Sequence, residues 1–133
     1  MPTDHPVCGV GALIRRDERY LLVRRGREPQ AGLWAVPGGK VGWGESMHSA
    51  LKREVEEETG LEVEVGDPVW VGESIGPGTP PAWHFCLVDF HATAVGGELQ
   101  PADDAAEAAW FSREEALALP LTPTMRELFA SLP

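Results

Sequence analysis

Short apolar runs separated by polar turns form the beginning of the chain. Residues 7–15 and 20–24 are largely apolar, and the polar residues 16–19 stand between them. Both runs are short and carry residues with little helix preference, which is typical of β-strands. The pattern predicts a β-hairpin.

Glycine and proline then interrupt the apolar pattern. Residues 26–45 contain six glycines and two prolines, so this stretch is predicted to be a loop with a short strand at residues 33–36. Residues 46–59 lack both residue types, are rich in helix formers and end at Gly60. Glycine favours the position just after a helix. The sequence therefore predicts a helix over residues 46–59.

The second half of the chain alternates between strand and helix signals. Apolar runs bounded by turn residues predict four more strands, at residues 62–66, 69–75, 84–93 and 108–111. Ser112 and Glu115 have the spacing of a capping box, in which each side chain bonds to the other residue's backbone N–H. This pattern predicts a helix from Ser112 to about Ala118.

A last helix is predicted close to the end of the sequence. Thr122 and Pro123 suit its N-cap and first helical position. Its apolar residues are Met125, Leu128 and Phe129. No repeat or linker divides the 133 residues, so residues 1–133 are expected to form a single domain.

The predicted helix over residues 46–59 carries an unusual acidic cluster. Glu54, Glu57 and Glu58 have i, i+3 and i+4 spacing and share one face of a helix. At about 100° per residue, this face coincides with the apolar stripe of Met47, Ala50 and Leu51. A solvated acidic surface would instead lie on the opposite side. Carboxylates that point inward need neutralisation, which predicts a hard divalent cation, Mg²⁺ or Mn²⁺.

The charge balance limits the partners of this protein. Its formal net charge is −10, which opposes binding to long nucleic acids because these are held mainly by Lys and Arg. Seven basic residues nevertheless lie between Arg15 and Lys40. A small phosphorylated ligand is compatible with this distribution if cations mediate its binding.

Two further features bear on the cellular setting. The sequence shows no basic segment followed by a long apolar run and no stretch of about 20 apolar residues, so we expect no membrane partner and a cytoplasmic location. Cys8 and Cys86 are far apart in sequence and have no partner motif. They are expected to be reduced, buried thiols.

The acidic helix lies within a longer motif. Gly39 is followed after five residues by Glu45 and, after seven more, by the run Arg53-Glu-Val-Glu-Glu-Glu-Thr-Gly-Leu61. This pattern resembles the Nudix signature GX₅EX₇REUXEEXGU, where U is apolar, at all nine specified positions. The segment PGGK and the pair Trp110-Phe111 also stand where relatives have them. Gly42 and Trp43 depart from the acidic and variable residues of many relatives.

The resemblance implies a fold and a metal site. The fold is an α+β, α/β/α sandwich, in which a mixed β-sheet lies between helices and residues 39–61 form a loop-helix-loop catalytic motif. The implied metal ligands are the Gly39 carbonyl and the carboxylates of Glu54, Glu57 and Glu58. One of these three glutamates could instead act as the general base. Family members often use another acidic residue before the Trp-Phe pair, and the candidates here are Asp104 and Glu107.

Two residues of the motif are expected to support this site. Arg53 would orient a glutamate by ion pairing, since it stands four residues before Glu57. Glu45 lies just before the helix, where a carboxylate is stabilised by the helix dipole. In the family such a residue supports the metal site without contacting the metal.

Residues outside the motif are candidates for substrate binding. Arg25, Arg27 and Lys40 could bind the phosphate farther from the attacked bond. Trp43 and Trp83 offer aromatic surfaces for a base. The run before Trp110 resembles that of small ADP-ribose pyrophosphatase-like members. We therefore expect cleavage of the pyrophosphate bond in a nucleoside diphosphate derivative such as ADP-ribose or a nucleotide sugar.

Other functions are compatible with the same motif. A nucleoside or deoxynucleoside triphosphate pyrophosphohydrolase would use the same residues and release pyrophosphate. A non-catalytic nucleotide-sensing module is a third hypothesis, but such a module could lose the glutamates that this chain retains. An isomerase on the same fold would need a catalytic Cys and extra His ligands. A homodimer is expected because dimers are common among relatives.

Overall fold

The computed structural model describes residues 5–102 and 105–133. Within them the chain forms seven strands and three helices. The elements are β1 (Val7–Arg16), β2 (Arg19–Arg25), β3 (Trp34–Ala35), β4 (Gly38–Lys40), α1 (Met47–Thr59), β5 (Leu61–Ile75), β6 (His84–Gly97), β7 (Ala105–Ser112), α2 (Arg113–Leu117) and α3 (Pro123–Ser131).

Strand β1 lies at the centre of a mixed sheet. It pairs in parallel with β6 through eight residue pairs and antiparallel with β4 on its other edge. Strand β5 extends the sheet beyond β6, while β3 and β7 pair with β2. The mixed sheet expected from the family resemblance is therefore confirmed.

The predicted hairpin of β1 and β2 is only partly correct. The two strands pair solely at Arg15 with Tyr20 and at Arg16 with Arg19. Farther from the turn they separate, because β4 occupies the same edge of β1 at Gly9, Val10 and Gly11. The separation leaves a space between β2 and the β4–β1–β6 part of the sheet.

Two other strand predictions need correction. The strands predicted at residues 62–66 and 69–75 are one strand, β5, whose register with β6 shifts on either side of Pro68. Proline lacks an N–H for the ladder, so a local irregularity replaces the expected break. Strand β4 lies in the stretch that glycine content predicted to be loop. Its pairing with β1 is made by backbone groups and needs no side-chain pattern.

The helix boundaries follow the capping signals of the sequence. The Ser46 hydroxyl caps α1 by accepting from Ser49 N–H, and Gly60 ends the helix with a φ of 79°. The capping box of Ser112 and Glu115 is present at α2. Thr122 caps α3, with Pro123 in its first turn.

The sheet buries apolar side chains on both faces. Ala12 and Ile14 of β1 pack in one core cluster with Leu51 and Val55 of α1. The intervening Leu13 packs in a second cluster with residues of α2 and α3, among them Ala116, Met125 and Phe129. This alternation places α1 on one face and the other two helices on the opposite face, as a sandwich requires.

The two cysteines differ from expectation. Cys8 and Cys86 are both exposed, and they are Cα partners on the neighbouring strands β1 and β6. Parallel pairing of distant segments brings them side by side, which sequence separation could not indicate. None of the helices in residues 5–102 and 105–133 combines the length and apolar character required to cross a membrane.

Candidate active site

A cavity of about 360 Å³ opens where β2 separates from β1. Glu54 and Glu58 of α1 and the glycines of β4 line it. It continues over Gly9 and Gly11 of β1 to β6 and β5, and α3 contributes to its wall. The α1 carboxylates therefore lie at the β4 edge of a pocket large enough for part of a small ligand.

Arg53 is the most connected side chain at this edge. Its Nε and Nη2 donate to the two carboxylate oxygens of Glu45, each at 2.9 Å. Its Nη1 donates to Glu54 Oε1 at 2.7 Å, and Nη2 also donates to the Lys40 carbonyl at 3.1 Å. The guanidinium thus joins the loop before α1, the strand β4 and the helix itself, which fixes the carboxylate of Glu54.

The contacts of Arg53 also shift the pKa values of Glu45 and of Arg53 itself. The hydrogen bonds from Arg53 lower the pKa of Glu45 to about 2, with a further contribution from the Gly42 N–H. The bonds to Glu45 and Glu54 raise the pKa of Arg53. The cation and the Glu45 carboxylate therefore stay charged over the range in which an enzyme operates.

The three glutamates of α1 have different surroundings. Glu58 is buried and accepts a hydrogen bond of 2.8 Å from Gly38 N–H. Glu54 is half-buried and so close to Gly39 that a Cβ there would overlap its carboxylate. Glu57 is exposed and lies 3.5 Å from Arg53 Nη1. In the part of the chain that is described, no three His, Cys, Asp or Glu side chains are grouped closely enough to hold a metal ion.

Strand β4 presents its backbone groups alternately to β1 and to α1. Gly39 is the Cα partner of Val10 in the antiparallel pairing. The Gly38 N–H and the Lys40 carbonyl bond instead to side chains of α1. Because both backbone groups of a residue point to the same side and alternate along a strand, the carbonyl of Gly38 faces α1 and that of Gly39 faces β1.

The predicted substrate-binding residues divide into two groups. Arg25, Lys40 and Trp83 line the cavity. Arg25 Nε donates to the Pro29 carbonyl at 2.9 Å, and Trp83 Nε1 donates to Ser74 Oγ at 3.0 Å. Both side chains are thus held at defined positions in the wall.

Four other predicted residues lie outside the cavity lining or outside the described chain. Arg27 is exposed, and Trp43 is fully exposed. Glu107 on β7 forms a 2.7 Å ion pair with Arg24. None of these three lines the cavity. Asp104 falls outside the described residues.

Sequence reasoning missed Asp89, which lines the cavity. Its exposed fraction is 8%, and desolvation raises its pKa to about 7. The available signal was an acidic residue in the middle of the apolar run of β6. Such a residue is rarely buried without a partner, so an acid at this position of the strand indicates a functional role.

Comparison with known proteins finds relatives of one family. The family model of the NUDIX domain matches residues 5–132. The ADP-ribose pyrophosphatase of Methanocaldococcus jannaschii is 39% identical over 107 residues, which are 80% of this chain and 62% of that protein. The CTP pyrophosphohydrolase of Escherichia coli is 42% identical over 118 residues, or 86% of this chain and 82% of that protein.

Comparison with solved structures points to the same family. A MutT NUDIX hydrolase from Burkholderia pseudomallei superposes with a TM-score of 0.88 at 34% identity, covering 98% of this chain and all of that one. The chain spans less than two thirds of the archaeal pyrophosphatase but most of the bacterial proteins named here. The complete signature, the fold and the family match together show that this chain belongs to the Nudix family of hydrolases.

Proposed function

We propose that this protein hydrolyses the pyrophosphate bond of a nucleoside diphosphate derivative such as ADP-ribose or a nucleotide sugar, with Mg²⁺ or Mn²⁺ as cofactor. The observation that carries the proposal is the position of the Glu54 and Glu58 carboxylates at one edge of a cavity that continues along an apolar and aromatic wall. The archaeal relative named as an ADP-ribose pyrophosphatase supports this substrate class.

The residues at this edge fit a divalent cation in their chemistry. Glu54 and Glu58 offer carboxylate oxygens, which hard cations prefer. The missing side chain of Gly39 leaves room for the Glu54 carboxylate beside β4. A divalent ion held by Glu54, Glu57 and Glu58 would neutralise phosphate charge and make the attacking water more acidic. Asp104 and Glu107 are further candidate ligands.

A backbone carbonyl is proposed to complete the ligand set. The family resemblance assigns it to Gly39, but the alternation along β4 turns that carbonyl toward β1. The carbonyl of Gly38 faces α1, where Glu58 already accepts the N–H of the same residue. This geometry supports Gly38 over Gly39 as the backbone ligand.

The remaining residues of the motif are assigned positioning and binding roles. Arg53 holds Glu54 in one orientation, and Glu45 holds Arg53 through two parallel bonds. Bidentate pairs of this kind fix geometry as well as charge. Lys40 and Arg25 are assigned to phosphate binding and Trp83 to packing against the base, because all three line the cavity.

A triphosphate substrate is the second candidate. The CTP pyrophosphohydrolase relative supports it, because this chain covers a larger part of that protein than of the ADP-ribose pyrophosphatase. Both reactions would use the same glutamates. They differ in the second product, which is a sugar phosphate in one case and pyrophosphate in the other.

The test is turnover of the purified protein with Mg²⁺ against ADP-ribose, nucleotide sugars, dinucleoside polyphosphates and nucleoside triphosphates. We expect metal-dependent release of a nucleoside monophosphate and loss of turnover in Glu57→Gln. The matched control is Glu56→Gln, which removes an exposed carboxylate from the same helix. No turnover of any substrate would contradict the proposal and favour a nucleotide-sensing module.

A further inference from the structure

Asp89 is a buried acid that the proposed chemistry does not use. It lies in the middle of β6 and lines the cavity with an exposed fraction of 8%. No hydrogen bond or ion pair within residues 5–102 and 105–133 involves its carboxyl group. The carboxyl oxygens keep some contact with the cavity, because Arg24 Nε is the one fully buried side-chain polar atom without a partner in the described part of the chain, but desolvation still penalises their charged form. A ligand that enters the cavity could supply the missing partner.

The carboxyl group leans across the sheet toward β1. Gly11 is the Cα partner of both Asp89 and Gly38, so these three residues form one row across β4, β1 and β6. A Cβ on Gly11 would overlap Asp89 Oδ1. Strands lie about 4.8 Å apart, so the carboxyl group, which lies against Gly11, is about one strand spacing from Gly38 of β4. A ligand that extends from the α1 edge across β1 would therefore meet Asp89.

The surroundings of Asp89 suit a planar, partly polar group. Leu87, Phe85 and Trp83 line the same cavity, the first two on the same face of β6. The other charged side chains in the lining are Arg25 and Lys40, neither of which is paired with Asp89, and the α1 glutamates. The uncharged polar residues of the lining are Gln30, Ser74, Thr122 and Thr124. Aromatic and apolar walls with a few polar groups are typical of sites that bind a base by packing and select it by hydrogen bonding.

We propose that Asp89 selects the nucleobase of the substrate by accepting a hydrogen bond from the exocyclic amino group of the base. This bond favours nucleotides of cytosine or adenine over those of uracil or hypoxanthine. This inference rests on the proposed function, since it takes the substrate to be a nucleotide, and it adds the base that the site selects. Uracil and hypoxanthine carry a carbonyl oxygen where cytosine and adenine carry the amino group. An ionised carboxylate can only accept hydrogen bonds, so uracil and hypoxanthine would leave the Asp89 carboxylate without a partner.

The test measures binding of nucleoside monophosphates, which needs no hydrolysis. Isothermal titration at about pH 8.5, above the raised pKa of Asp89, compares CMP with UMP and AMP with IMP. Within at least one pair, the amino nucleotide should bind about tenfold more tightly, as expected for a hydrogen bond to a charged group. Equal affinity within both pairs, or no binding of any of the four, would overturn the inference.

The variant Asp89→Asn provides the second arm. Asparagine has nearly the same shape but offers both a donor and an acceptor, so the affinity ratio should fall to within about threefold while binding persists. The matched control Glu73→Gln changes an exposed acid on β5 and should keep the wild-type ratio. A ratio unchanged in Asp89→Asn would also overturn the inference. Base-selective binding without any hydrolysis would instead refute the proposed function alone.

Discussion

Two carboxyl groups, one in the loop before α1 and one on β6, have opposite surroundings. Glu45 accepts two hydrogen bonds from Arg53, and these bonds lower its pKa to about 2. Asp89 has no such partner, and burial raises its pKa to about 7. The first region is a closed network that the protein completes by itself. The second is an open position, and we propose that the α1 edge carries the chemistry and the β6 wall the selection of the base.

The largest effect should come from a carboxylate at the α1 edge of the cavity. Glu58→Gln removes charge from the buried carboxylate beside Gly38 but keeps its shape. We expect turnover to fall about 10²- to 10³-fold, as when one electrostatic element of an active site is lost, with little change in substrate affinity. Steady-state kinetics at saturating Mg²⁺ would check this, with Glu56→Gln as the control. A loss confined to KM would place Glu58 in substrate binding.

A smaller effect is expected when the geometry of the network changes and its charge does not. Arg53→Lys keeps the cation but cannot form parallel bonds to Glu45. Turnover should fall about 10- to 100-fold, and the Mg²⁺ concentration for half-maximal rate should rise. The measurement is a Mg²⁺ titration of the initial rate. If Arg53→Lys titrates like wild type, Arg53 does not position the carboxylates.

The burial of Asp89 should make the stability of the protein depend on pH. The folded state raises the pKa of Asp89 from 3.8 to about 7, so it retains a proton that the unfolded state releases between these values. The free energy of unfolding should therefore fall by about 2–4 kcal/mol as pH rises through this window, relative to Asp89→Asn. Urea unfolding at about pH 4 and about pH 8 would measure the difference. Parallel profiles for the two proteins would contradict the assigned burial.

The smallest effect is expected from a tryptophan outside both regions. Trp43 is fully exposed and does not line the cavity, so Trp43→Ala should change kcat/KM by less than about twofold. Trp83→Ala removes an aromatic surface from the cavity wall and should raise KM about tenfold. The two variants form a matched pair in one assay. A larger effect at Trp43 would show that the substrate extends beyond the cavity.

The sequence predicted the parts of the molecule that depend on local signals. The helix α1 followed from capping residues and composition, and its acidic face followed from the 3.6-residue period. The separation of β1 from β2 and the existence of β4 depend on which strand occupies each edge of β1. Residues far apart in sequence decide that competition, so no local pattern reveals it.

The candidate site shows the same division. Glu54, Glu57 and Glu58 stand within one helix, and their spacing alone predicted a shared metal site. Asp89 reaches the cavity only because β6 pairs in parallel with β1 and because Gly11 leaves room above that strand. Its proposed role depends on tertiary structure, although its charge in an apolar run is visible in the sequence.

The most direct test of the proposed reaction is product analysis after incubation with ADP-ribose and Mg²⁺. The account predicts AMP and ribose 5-phosphate in equal amounts from the wild-type protein and from Glu56→Gln. It predicts neither product from a variant in which Glu54, Glu57 and Glu58 are all replaced by Gln. Cleavage that persisted in this triple variant would contradict the assignment of the α1 carboxylates to the reaction.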